Sequence, residues 1–182
     1  MRVVITALAV LAAVFAQGQL GGALVLGTTP LDLSLIAVVC IALTSGPTVG
    51  LLAGMCAGLA QDALGGGIIA SKGAIIGIGG LANTVVGFLV GQASTQFIVT
   101  GALPRLVAFF GSTVVHAVIF MGLYELLGLA HFGLPWGGVV GQGLANALVG
   151  VLILQATELL PGAVERRQAQ KGSGFRVTRR LD

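Results

Sequence analysis

Few side chains in this sequence are equipped for chemistry, and those few stand in unusual places. Asn83, His116 and Asn146 each fall near the middle of a long apolar run. In hydrocarbon, a buried amide or imidazole must find a hydrogen-bond partner, and the nearest source is a polar group on another helix. The three therefore read first as interhelical glue that forms a polar core, with a small polar ligand cavity as the alternative. Asp62 and Lys72 flank Gly65-Gly66-Gly67. They read as a pair that closes this loop, or as a contact for an outer-face partner or ligand. Arg105 and Glu158 are expected to lie near the opposite boundary and to pair there, in a structural role.

Bond-making patterns do not assemble from what remains. There is no Gly-x-Ser-x-Gly elbow and no His-Glu-x-x-His, and His116, Glu125 and His131 are not spaced as metal ligands. The expectation is a protein without enzymatic activity, cofactor or metal. A proton-coupled transporter would want acidic groups at mid-depth, and by counting along the runs the acids here lie toward their ends. Cys40 and Cys56 both sit in apolar stretches, where a thiol acts as a small packing group and no disulfide framework is implied.

The elements that must position these residues follow from composition. The chain has 182 residues, 56% of them apolar and 30 of them glycine, with a mean hydropathy of +1.05. Charged residues make up 8%, against about 25% in a water-soluble domain. Such a body is built for lipid. At about 20 residues per crossing, this length holds six spans with short turns and leaves no room for a soluble catalytic domain.

With Gly, Pro and charges as punctuation, the apolar runs fall at about 3–26, 31–45, 47–62, 73–91, 104–128 and 137–160. The second and third could fuse through Ser45-Gly46-Pro47 into one kinked span, giving five crossings. Charge separates the two counts. With six spans and a cytoplasmic start, Arg2, Arg105 and the tail residues Arg166, Arg167, Lys171, Arg176, Arg179 and Arg180 share the inner side, and only Lys72 is outside. Five spans would put Arg105 and the whole tail outside, against the positive-inside rule. The expected organisation is a six-helix transmembrane domain over 1–162 and a flexible basic cytoplasmic tail over 163–182, with both termini cytoplasmic. Apolar sequence resumes after the run that ends near Ala16, so an uncleaved first helix is favoured over a removable signal. The tail carries one aromatic, Phe175, which makes no stacking surface, so it reads as a topology anchor touching anionic lipid or a cytoplasmic protein, and not as a nucleic-acid site.

The most specific pattern is a ladder on the third run: Gly46, Gly50, Gly54 and Gly58, then Asp62 at the same interval. Steps of four align these positions along one helical face, and small-xxx-small steps let another backbone approach closely. Gly73 with Gly77 and Gly87 with Gly91 repeat the device on the fourth run, as Gly137 with Gly141 does on the sixth. The face must meet a helix, either within the bundle or on a partner. The fold class is accordingly all-α, a polytopic membrane protein folded as a compact bundle.

Several motifs in order resemble one family. Pro30-Leu31-Asp32-Leu33 opens an apolar helix; Gly46-Pro47 and the ladder Gly50, Gly54, Gly58 then run into Gln61-Asp62-Ala63-Leu64 and a glycine-rich turn. With Thr84-Val85-Val86-Gly87-Phe88-Leu89-Val90-Gly91 and Gly122-Leu123-Tyr124, this resembles the rod shape-determining protein MreD. The chain departs from that pattern before the Thr-x-x-Gly of the fourth run, where Asn83 stands in place of a basic residue. The resemblance implies a non-enzymatic component of the bacterial cell-elongation machinery in the cytoplasmic membrane. It would bind the bitopic protein MreC, in one assembly with the actin-like filament protein, RodA and its class B transpeptidase. It also implies a fold similar to the substrate-binding subunits of energy-coupling vitamin transporters, which supplies the alternative function. On the scaffold reading, Gly50, Gly54, Gly58, Asp62, Gly87 and Gly91 are the partner-binding candidates, with a homodimer through a ladder left open.

The topology carries its own test. A reporter fused after Asp182 is expected to be active only in the cytoplasm, and activity outside the cell would overturn the six-span arrangement.

Overall fold

The computed structural model describes residues 12–17, 25–26, 29–64, 77–97, 101–129, 131, 133 and 136–174, with backbone alone for 25, 26, 29 and 158–174. Lys72, on which the expected Asp62 pair depends, and the Glu158 side chain, on which the Arg105 pair depends, lie outside the described residues. Helix α1 covers 12–17, and a two-residue antiparallel pair joins β1 (Val25–Leu26) to β2 (Thr29–Pro30). Five helices follow: α2 (Leu33–Ser45), α3 (Pro47–Leu64), α4 (Ile78–Gln96), α5 (Ala102–Leu126) and α6 (Trp136–Gly174). The fold is all-α.

Local chemistry sets most of these boundaries. Gly46 separates α2 from α3 with φ +84°, a left-handed conformation that side chains disfavour, and its N–H closes α2 on Ala42 O at 3.1 Å. Pro47 then opens α3, where a missing N–H costs nothing. At the far end of α5, Gly128 N–H reaches Glu125 O at 3.0 Å and Leu129 N–H reaches Tyr124 O at 2.9 Å, a Schellman closure built on the positive φ of Gly128.

Two boundaries differ from the sequence expectation. Helix α4 starts at Ile78 and runs to Gln96, against an expected 73–91, because Gly91 is not punctuation but a contact point. Helix α6 runs from Trp136 through Gly174, the last described residue, against an expected span of 137–160.

Among the described residues, two helices are long and apolar enough to cross a membrane, Ala102–Leu126 and Trp136–Thr157, and Leu33–Ser45 is a shorter apolar helix. The first of the six expected runs, 3–26, lies mostly outside the described residues; the next three fall short for a physical reason. Helix α2, with 13 residues, is about 20 Å long, short of a hydrocarbon core about 30 Å thick. Helices α3 and α4 have 18 and 19 residues, but their glycines and polar residues dilute the apolar character that a lone span requires.

What α2 lacks in length it makes up in burial. Leu35, Ile36, Val39 and Ala42 form one core with Val86 and Val90 of α4, Phe109 of α5, and Ala147, Val151 and Leu154 of α6. Val38, on another side of α2, packs with Val14 of α1 and Ala53 and Ala57 of α3. Helix α2 is thus the central element. Large apolar side chains such as Leu52, Met55, Phe88, Leu103, Leu148 and Leu152 face outward, as a lipid-facing coat requires.

The α3 and α4 ladders face each other, and this pair makes the most extensive contact in the fold. A Cβ on Gly50 would strike Gly87 O, and one on Gly54 would strike Asn83 O. At Gly58 it would lie 2.5 Å from Gly80 Cα, and at Gly91 2.5 Å from Pro47 Cα. The reading of Gly50, Gly54, Gly58, Gly87 and Gly91 as partner-binding is corrected accordingly: the chain's own backbone fills that face. On α6, Gly143 and Gly150 make room instead for Phe110 and Phe109 of α5.

Gly54→Leu is therefore expected to force α3 from α4 and cost about 3 kcal/mol or more. A Cβ at Gly122 meets nothing within 4 Å, so Gly122→Ala should gain up to about 1 kcal/mol from helix propensity. Thermal unfolding of the two variants in detergent checks both signs.

Candidate functional site

The described polar side chains gather where α2 begins. Asp32, 6% exposed, is the N-cap of α2, and its Oδ1 accepts the Leu35 N–H at 3.0 Å. Its own N–H donates to Asn146 Oδ1 at 3.0 Å, and Asn146 Nδ2 donates to Thr113 Oγ1 at 3.2 Å. From the other side, Gln17 of α1 brackets the same turn: Nε2 donates to Leu31 O at 3.0 Å, and Oε1 accepts the Leu33 N–H at 2.8 Å. Donors that a helix start leaves unmatched are thus supplied by side chains from within the protein.

A second chain of bonds begins two residues later. Ser34 Oγ donates to Gln61 Oε1 at 2.7 Å, and Asn83 Nδ2 reaches the same oxygen at 3.5 Å. Asn83 and Asn146 are both fully buried, at 0% exposure. Among the described residues, Asn83 Oδ1 has no hydrogen-bond partner.

Next to Gln61, Asp62 turns its carboxylate onto the start of α4. Its Oδ2 accepts the N–H groups of Gly77 at 2.8 Å and Gly80 at 3.2 Å. The helix N-terminus carries partial positive charge, so the carboxylate both satisfies donors and meets a complementary field. This use of Asp62 explains why α4 starts where it does, and it differs from the outer-face partner contact expected of that residue.

His116 takes another course from the amides. Its ring stacks on Phe120, with centroids 5.9 Å apart and planes at 18°, and Phe120 in turn meets Tyr124 at 4.7 Å. The imidazole nevertheless lies within electrostatic range of the Asp32 and Asp62 carboxylates. Of the three polar residues singled out by position, then, Asn146 and Asn83 serve separate bond chains that meet at the first turn of α2, and His116 flanks them.

Depth follows from these contacts. Asn146 stands midway along the apolar stretch Trp136–Thr157, and Thr113 midway along Ala102–Leu126. Since Asp32 binds Asn146, and Asn146 binds Thr113, the start of α2 lies level with the middles of the two long apolar helices. The expectation that the acids lie toward the ends of the runs is qualified for Asp32: it opens its own helix, yet stands level with the middles of α5 and α6.

Gln17, Ser34, Gln61 and Thr113 were not singled out from sequence. For Gln61 a signal was present, since it precedes Asp62 at the end of the ladder; Gln17, Ser34 and Thr113 are ordinary polar residues until their partners are known. Among the described residues, no group of three or more His, Cys, Asp or Glu side chains converges as a metal site.

Asn146→Leu should strand the buried Asp32 N–H and cost about 1–3 kcal/mol. Denaturation of the variant beside wild type measures the loss, and an unchanged midpoint would show that the bond contributes nothing.

Searches of protein-family models, of curated proteins and of solved structures find no match to this chain.

Proposed function

We propose that this chain is a non-enzymatic integral membrane scaffold of the bacterial cell-elongation machinery, which holds the single membrane helix of a bitopic partner of the MreC type. In this reading it crosses the cytoplasmic membrane six times with both termini cytoplasmic, and it works beside RodA, a class B transpeptidase and the actin-like filament protein. The ordered motifs over residues 30–91 support the family resemblance on which those partners depend.

The observation that carries the scaffold reading is the uneven cover of the two long apolar helices. The apolar stretch of α5 is 22% buried within the protein, against 44% for α6. Leu103, Val107 and Val118 are exposed along α5, and a Cβ at Gly111 or Gly122 would meet open space. These positions recur at four- and seven-residue steps along one face. A smooth, uncovered stripe of this kind suits a neighbouring helix, because association in lipid depends on close packing more than on escape from water. With the α3 and α4 ladders occupied by each other, α5 offers the docking surface.

Depletion in a rod-shaped host tests this reading. Rounded cells, rescued by wild type together with co-purification of a bitopic membrane protein, are the expected result. Gly111→Leu and Gly122→Leu should fold with a melting midpoint no lower than wild type and lose most of the partner. Retention of the partner by both variants would remove α5 as the docking face. Normal rods after depletion, with tight vitamin binding by the purified chain, would favour the transporter subunit instead.

A further inference from the structure

Among the described residues, the polar junction holds one oxygen that its role in tying helices together leaves unused. Asn83 is completely buried, and Gln61 Oε1 takes its Nδ2 end, so the side-chain oxygen is left without a donor. Leaving a buried acceptor unmatched costs about 1–3 kcal/mol, and proteins retain such a group chiefly where something binds it. Helical side chains lean toward the N-terminus of their helix. From Asn83 that is the direction of Gly80 and Gly77, where the Asp62 carboxylate is seated.

The surroundings say what kind of group would fill the place. Ser34 Oγ, Gln61 Oε1, Asn83 Oδ1 and the Asp62 carboxylate all present oxygen. The Asp62 carboxylate supplies the one formal charge of the set. Charges held away from water are expensive unless compensated. Oxygen donors of this kind suit a hard cation. The set is largely neutral amide and hydroxyl, with no cluster of three metal-ligating side chains among the described residues, which fits a single positive charge better than two.

We infer that the junction between the start of α2, the end of α3 and the start of α4 binds a small monovalent cation through Asn83, Gln61, Ser34 and Asp62. The ion meets the Asp62 carboxylate and completes the buried Asn83 amide, so it ties α2 to the α3–α4 pair. The inference does not rest on the scaffold reading.

The test uses the full chain in detergent. Thermal unfolding is followed in sodium, lithium or potassium chloride and in N-methyl-D-glucamine chloride at equal ionic strength. A saturable rise in midpoint with one of the small cations is expected, since binding to the folded state alone stabilises it. Asn83→Leu should weaken the apparent affinity at least tenfold, read as the loss of the salt-dependent rise above that variant's own midpoint in the bulky cation. Equal midpoints in all four salts, or an undiminished salt effect in Asn83→Leu, would overturn the proposal and leave the Asn83 oxygen to water. Should Asn83→Leu fail to fold, Gln61→Met serves as the second variant. Equilibrium binding of radioactive sodium to the wild-type chain, competed by lithium and potassium, then decides independently, and binding of none of the three ions counts against the site.

Discussion

The direct contact between the backbones of α3 and α4 is the constraint on which the rest of this fold depends. At Gly50 against Gly87, Gly54 against Asn83 and Gly58 against Gly80, main-chain atoms approach so closely that not even a methyl group fits between them. In a bilayer, apolar side chains gain little by leaving lipid for each other, and association has to come from dense packing and from polar groups that find partners. Close backbone approach supplies the first. The Asp62 carboxylate on the start of α4 supplies the second, at one end of the same seam, while Gly91 rests on Pro47 at the other.

A seam of this kind fixes what lies against it. Helix α2 is too short to span a membrane alone, and its apolar residues are shared between two cores on different sides. It can begin inside the protein because side chains answer the groups at its start: Gln17 with two bonds, Asp32 with its own cap, and Asn146 from α6. Non-helical backbone at membrane depth is tolerated only when it is surrounded by protein in this way. The buried carboxylate, the two amides and the imidazole beside them follow from that arrangement. Among the described residues, the same arrangement leaves one amide oxygen, Asn83 Oδ1, unanswered.

Much of this was legible in the residues. The low charge and high hydropathy specify a lipid environment, the four-residue glycine spacing specifies a face made for close approach, and Gly46-Pro47 marks the turn between two helices. Each is a local property of a helix or a turn. Asn83 and Asn146 were recognisable as buried amides in need of partners. Their partners were not, and neither was the depth of Asp32, because counting along apolar runs assumes that every run crosses the membrane from edge to edge. Gly91 was misread as a stop for a related reason, since a glycine that admits a neighbour and a glycine that ends a helix look alike in sequence.

The sequence by itself thus determined the apolar character of the chain, the helices and the existence of smooth faces, all of which depend on residue type and periodicity over a few turns. Only the tertiary structure decided which faces meet, that the two ladders consume each other, and that α2 starts level with the middles of α5 and α6. Those outcomes turn on contacts such as Asp32 to Asn146, 114 residues apart, whose energy depends on where the remaining helices have already packed and not on any pattern near either residue.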